Sequence, residues 1–365
     1  MRFFADSEQS DAANATGFKG FYYHFLEMEG GRRANRCELS SIDTALLIAG
    51  ALAAAEYFDR ADSREEEIGR LARLLAERVD WTWMLGRSTT ICHGWTPEGG
   101  FLSYRWQGYS EALVMVLLAL GSTTHPIPST CYAAWCASYE WRTLYDVDYL
   151  HAGPLFIHQM SHIWCDLRAI RDRFMRDHDC DYFENSRRAT LIQQRYAIEN
   201  PKRFPHYGAR YWGITASGGP GPCRKTVDGI RRQFFGYVAR GVPDGPDDGT
   251  TSPWAVATSL PFAPEIVAPT ISHFASLPIA AAHPYGFRAS FNRAFDDEAE
   301  HGTGWVSPYH YGINVGPTVL MIENYRSGLI WGLMRKCSAL TAGLRAAGFS
   351  GGWLAEPSGR AGVRA

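Results

Sequence analysis

Apolar residues recur with helical spacing along most of the chain. Ser40 or Ser41 can cap a helix over 42–58, and 64–79 shows the i, i+3, i+4 pattern of an amphipathic one. Glu111 opens an apolar helix over 111–121, and Pro128 suits the first turn of another over 128–141. Further helices are predicted over 155–175, 184–199, 262–275, 317–334 and 336–346. Several are apolar all round, which suits burial between other helices. No alternating run is long enough to predict a sheet. Long loops rich in Gly, Pro and aromatic residues separate the helices at 91–109, 200–225, 240–253 and 284–316, and loops of that length are usually functional. Paired helices alternating with such loops predict an all-α closed toroid with its site at one end. No linker divides the chain, so 1–365 reads as one domain.

Composition narrows the function. Charged residues make up 20% and the net charge is −2, which offers no general attraction for nucleic acid or anionic lipid. The apolar runs near 45–55 and 112–120 are too short for membrane insertion. The N-terminus lacks a secretory leader as written, and the eight scattered cysteines form no C-x-x-C pair. A cytoplasmic location is expected, or a periplasmic one if the N-terminus has been trimmed. The sequence sets no oligomeric state.

Two segments carry the candidate chemistry. Tyr104 to Glu111 and Asp181 to Arg188 each bring a carboxylate to the start of an apolar helix, among aromatic and hydrogen-bonding neighbours. A pair of carboxylates in a largely uncharged, aromatic-lined site is what acid-catalysed glycosidic cleavage requires. Glu111 and Glu184 are the candidates, although a carboxylate at a helix start can also be a simple cap. Glu38, Asp43, Asp247, Asp248 and Glu323 compete for the second position. His158 and His162 lie four apart on a predicted helix face, but Gln159 stands where a zinc protease motif has Glu. No metal and no cofactor are expected, and the two histidines read as hydrogen-bonding groups of a polar cavity. Ser217 to Gly221 lacks the features of a phosphate loop. Trp95, Trp106, Tyr109, Trp212, Trp254, Tyr285, Trp305, Tyr309 and Tyr311 are candidate sugar platforms, some of which belong to ordinary packing.

Taken in order, TGFKGFYYHFLEMEGGRRANRCELSSIDTALL, HGWTPEGGFLSYRWQGYSEALVMV, GPLFIHQMSHIWCDLRAIRD, DYFENSRRAT, GVPDGPDDGTTSPWAVA and GINVGPTVLMIENYRSGLIWGL resemble the glycoamylase-like family. That family is similar to endo-β-1,2-glucanases and to the transglycosylating module of cyclic β-1,2-glucan synthases. The resemblance implies an (α/α)6 toroid, lacking its first helical pair because little chain precedes TGFKGFYYHF. It implies a hydrolase or transglycosylase acting on β-linked glucan, most of all β-1,2-glucan, with Glu111 as proton donor and Glu184 as partner. Substrate contacts are then expected from Trp106, Tyr109, His158, Gln159, His162, Arg187, Arg188, Trp212, Asp248, Trp254 and Tyr311. The chain departs from the family's common pattern at Gly218, where an acid is usual, and at Asn314 and Val315, where an acid and an amide are usual. Those departures raise an alternative: a non-catalytic glucan-binding homologue.

Overall fold

The computed structural model describes residues 1–280, 283–295 and 304–355. They form two compact units, one from Met1–Tyr139, Trp164–Tyr182 and the chain from Trp331 on, the other from Glu140–Ile163 and Phe183–Ile330. The chain passes between the units four times, so neither is a contiguous piece of sequence.

The first unit starts with a small antiparallel sheet, its strands Gly17–Phe18, Phe21–Tyr23, Leu39–Ser40, Gly94–Thr96 and Gly100–Phe101 paired in chain order. The third strand runs directly into the Ser41–Tyr57 helix, where the Ser40 hydroxyl accepts from the Asp43 N–H at 3.2 Å and caps it. Asp62 caps the Ser63–Arg78 helix in the same way, accepting from the Arg64 N–H at 2.9 Å. All eight residues of the Leu113–Leu120 helix are buried, as its all-apolar sequence requires. Its end meets the Ser338–Ala346 helix at backbone distance. A Cβ on Gly121 would stand 1.8 Å from the Ala339 carbonyl oxygen, and one on Gly343 would stand 1.9 Å from that of Leu117. Only glycine fits either position.

The second unit packs the Tyr182–Glu199 helix, from Phe183 on, through Ala189, Ile192 and Tyr196 against Tyr149, Ile214 and Val242. A second core gathers Trp212, Val256, Phe274 and Phe291 around the Pro253–Thr258 and Pro264–Ser276 helices. No helix among the described residues is long and apolar enough to cross a membrane.

The structure corrects three of the predicted helices and adds strands that the sequence pattern did not predict, the five-stranded sheet among them. The helix expected over 128–141 is only Thr130–Cys136, because Trp141–Leu144 pairs with Val147–Leu150 in a hairpin. Its turn residues Tyr145 and Asp146 take φ of 53° and 61°, a left-handed pair that lacks the usual Asn-Gly signal. A second hairpin pairs Cys223–Val227 with Ile230–Phe234 through Asp228-Gly229, a turn signal that sits in plain view. The helix expected over 155–175 is instead two 3-10 turns, Leu155–His158 and Met160–Ile163, followed by the short Arg173–Asp177 helix. His158 and His162 therefore share no α-helical face. The helix expected over 317–334 breaks at Ser327-Gly328, with Gly328 at φ 68°, into Gly312–Arg326 and Leu329–Met334.

Candidate active site

In the first unit, Glu111 lies in the turn just before the Leu113–Leu120 helix. Burial chiefly, with the nearby Asp43 charge adding to it against an opposing backbone hydrogen bond, raises its carboxyl from the ordinary 4.5 to about 7. Such a group keeps its proton in about half the molecules at pH 7. Asp43 accepts from the Ser40 hydroxyl and lies 3.6 Å from Nε2 of His24. His24 Nδ1 meets Glu38 at 2.9 Å, and this hydrogen bond with the carboxylates' charge holds His24 above its ordinary pKa. Sequence reasoning counted Glu38 and Asp43 only as rival acids and did not find His24. Both acids sit beside a strand-to-helix junction that a small-sheet prediction would have exposed.

The loop leading to Glu111 is held by its aromatic residues. Trp106 is 9% exposed; its indole N–H donates to the Ser41 hydroxyl at 2.9 Å and its ring stacks on His93 at 3.9 Å. Gly108 takes φ 76°, a left-handed conformation that glycine adopts without strain. Tyr109 packs against Tyr139 and Tyr182, with ring centroids 5.9 Å away in each case. Behind it lies a buried cluster absent from the sequence-based list. Asp172 accepts hydrogen bonds from Tyr132 at 2.6 Å and Tyr182 at 2.8 Å, and its other oxygen caps the Arg173–Asp177 helix at the Met175 N–H. Tyr182 opens the helix that carries Glu184.

In the second unit, Glu184 occupies the first turn of that helix and pairs with Arg188 at 3.0 Å; its side chain is 44% exposed. Arg188 also donates to the Asp148 carbonyl at 2.9 Å. Arg187 donates to the Phe262 carbonyl at 2.8 Å and pairs with Glu265 at 2.7 Å. Asn185 accepts from the Leu150 N–H at 2.7 Å, and Ser186 meets Nε2 of His162 at 2.9 Å. The DYFENSRRAT segment thus works as an anchor as well as a source of a carboxylate.

Several expected substrate contacts are corrected by burial. Gln159 is fully buried and donates to the Ala255 carbonyl and the Ser259 hydroxyl at 2.6 and 2.7 Å, which ties a 3-10 turn to the Pro253–Thr258 helix. His158 and His162 are buried at 1% and 2% exposure, leaving no face for a ligand. Desolvation lowers the His158 pKa to about 4, so it is neutral. Trp212 is fully buried with its indole N–H donated to Thr270 at 2.9 Å, a core residue and not a platform. Asp248 forms a wholly buried ion pair with Arg240. Burial alone would raise the Asp248 pKa, but the Arg240 hydrogen bonds and charge outweigh it and hold the carboxyl below its ordinary value. Asp247 accepts from Tyr196 and Tyr207 at 3.0 and 2.8 Å and is likewise structural.

Trp254 is buried in the same core as Trp212 and only its edge reaches a cavity wall, whereas Tyr311 is exposed. That cavity, of about 330 Å³ within the second unit, is also lined by Tyr285, Asn314, Val315 and Thr318. Among the described residues, no group of three or more His, Cys, Asp or Glu side chains could hold a metal ion.

Against known proteins, the Glycoamylase family model, described as "Putative glucoamylase", matches residues 103–338. The exo-β-1,2-glucooligosaccharide sophorohydrolase (non-reducing end) of Parabacteroides distasonis is 26% identical over 356 residues, covering 87% of this chain but only 45% of its own length. The chain therefore spans less than half of that curated relative. Among solved structures, the endo-β-1,2-glucanase of Chitinophaga pinensis, in complex with sophorotriose and glucose, is 26% identical with a TM-score of 0.82 over 97% of this chain and 80% of that one. A Bacteroides uniformis structure bearing the family's description is 27% identical, with a TM-score of 0.81 over 97% of this chain and 81% of that one. The fold class is that of the (α/α)6 glucanases, as the resemblance implied.

Proposed function

Because the chain belongs to the Glycoamylase family, we propose that it is a glycoside hydrolase acting on β-1,2-linked glucan. The observation that carries this reading is the Glu111 carboxyl, raised by burial to about 7. A general acid must hold its proton at working pH and give it up in the transition state. Glu111 protonates the glycosidic oxygen as the C1–O bond breaks, through an oxocarbenium-like transition state. Glu184 is the partner carboxylate, acting on C1 directly or by taking a proton from the attacking water. Transfer to a sugar hydroxyl in place of water follows from the same chemistry. The relatives named for β-1,2-glucan or its oligosaccharides support the linkage. A single functional domain and a cytoplasmic location complete the reading; the eight thiols, all present as free cysteines, support the latter.

Asn314 and Val315 favour a second reading, that of a glucan-binding homologue without turnover, since both stand where the family commonly carries an acid and an amide. Incubation with linear β-1,2-, β-1,3- and β-1,4-glucans, followed by product mass and anomeric configuration, separates the two. Cleavage of the β-1,2-glucan, abolished by Glu111→Gln and by Glu184→Gln, is expected. Binding with no product after prolonged incubation sinks the hydrolase.

A further inference from the structure

We propose that Asp172 is a positioning residue for proton donation by Glu111, acting through a relay of tyrosines and without touching substrate. The inference rests on the reading of Glu111 as the general acid, and every contact in the relay lies within the first unit. The relay has one direction. Tyr132 and Tyr182 both donate to the same Asp172 oxygen, at 2.6 and 2.8 Å. With its proton committed there, Tyr182 accepts from the Tyr139 hydroxyl, 3.1 Å away. The other Asp172 oxygen takes the Met175 N–H at 2.8 Å. Two hydroxyl donors converging on one atom require an ionised carboxylate, which only accepts. Asp172, Tyr132 and Tyr182 are all buried, and an apolar core of the same volume would avoid the cost of desolvating that charge. What the carboxylate adds is specificity: it fixes the hydroxyls, and through them the rings.

Those rings seat the loop that ends at Glu111. Tyr109, two residues before it, packs on both Tyr139 and Tyr182. The Gly108 N–H donates to the Trp135 carbonyl at 2.8 Å, and a Cβ on Gly108 would stand 2.9 Å from the Ser138 hydroxyl. The turn before Glu111 therefore rests on residues 135–139 and on Tyr182, whose hydroxyls Asp172 orders. Glu184 has other anchors. Its helix start is held in the second unit by Asn185 on Leu150, Ser186 on His162 and Arg187 on Phe262. Loss of the relay should disturb the proton donor and spare the partner carboxylate. Nor does Asp172 act by charge: the groups that shift Glu111 are its burial, its backbone hydrogen bond and Asp43.

The test compares two substrates on the full chain. Linear β-1,2-glucan needs a proton on its leaving oxygen, whereas the 2,4-dinitrophenyl β-glycoside of the β-1,2-linked disaccharide releases a stable phenolate and needs none. Asp172→Asn keeps the shape and, through its one remaining oxygen, the helix cap, but turns an amide N–H toward two tyrosine hydroxyls that now donate. It should lower kcat on the glucan ~10–100-fold with KM unchanged, as a displaced catalytic group does. On the dinitrophenyl substrate kcat should stay within about twofold of wild type, since the general acid is not used there. Tyr139→Phe keeps the ring at a half-buried position and removes one hydroxyl of the relay. It should show the same split, more weakly, and decides the matter if Asp172→Asn folds poorly. Equal losses on both substrates would make Asp172 a general support of the fold and overturn the proposal. Full glucan activity in a folded Asp172→Asn would overturn it as well. In both cases cleavage of the glucan by the wild type leaves the hydrolase reading standing; a wild type that cleaves neither substrate removes the reaction and the positioning role together.

Discussion

Replacing Glu111 with Gln should stabilise the protein at neutral pH and remove a pH dependence that the wild type carries. The folded-state pKa of Glu111 is raised from 4.5 to about 7, chiefly by burial. A carboxyl with a raised folded pKa binds its proton more tightly folded than unfolded. Its favourable contribution is full below pH 4.5 and is lost as pH climbs through 7. The rise corresponds to ~3 kcal/mol between the two plateaus. Gln keeps the shape and does not titrate, so the stability difference between variant and wild type should grow by ~2–3 kcal/mol from about pH 4.5 to about pH 8. Denaturant unfolding at several pH values, followed by tryptophan fluorescence, measures it directly. Asp43→Asn should shrink the climb without abolishing it, because burial is the larger cause and the Asp43 charge the smaller. In an active enzyme the alkaline limb of the rate profile should fall near pH 7 and move to lower pH in Asp43→Asn. A stability difference that stays flat from acid to alkali would refute the reasoning, for it would mean that Glu111 ionises as readily folded as unfolded.

Glu184→Gln should abolish turnover of β-1,2-glucan while changing stability by no more than ~1 kcal/mol, since its i, i+4 pairing with Arg188 is only half-buried. Asp248→Ala should cost ~3–5 kcal/mol by denaturant unfolding, because it leaves the wholly buried Arg240 guanidinium without its counter-charge. Gly343→Ala should cost ~1–3 kcal/mol or more, since its Cβ would lie 1.9 Å from the Leu117 carbonyl and force the two helices apart. A melting temperature within a degree or so of wild type would show that the helices can separate freely.

The helices were readable wherever local signals agreed. Ser40 and Asp62 cap helices whose apolar spacing is plain in the chain, and the Tyr182–Glu199 helix begins within two residues of the predicted start. Failures came where tertiary hydrogen bonds override local preference. The apolar run after Pro154 has helical content, yet the Phe156 N–H donates to Thr215 and the Gln159 amide to Ala255 and Ser259, and the segment settles into 3-10 turns instead. At the site, residue type alone could not separate a platform from a core residue. Trp212 and Trp254 are both platform candidates by residue type, yet the fold buries both in one core, while Tyr311 stays exposed. Only spatial neighbours decide that.

The same logic sorts the acids. Asp166, Asp172 and Asp248 are all buried, and each is surrounded by donors that favour a fixed, fold-supporting role. Asp166 lies between Arg168 and Arg335, whose hydrogen bonds and charge outweigh burial and hold it below its ordinary pKa. Asp172 anchors two tyrosines and a helix end, and Asp248 is matched to Arg240. Glu111 differs in sign from Asp166 and Asp248: burial and a neighbouring carboxylate push it upward and outweigh its backbone hydrogen bond. A fold gains nothing from keeping a carboxyl where ionisation is penalised, and Gln would pack there at lower cost. Retaining an acid at such a position makes sense when its proton is used, which is why Glu111, and not the better-paired aspartates, is the residue on which the proposed chemistry turns.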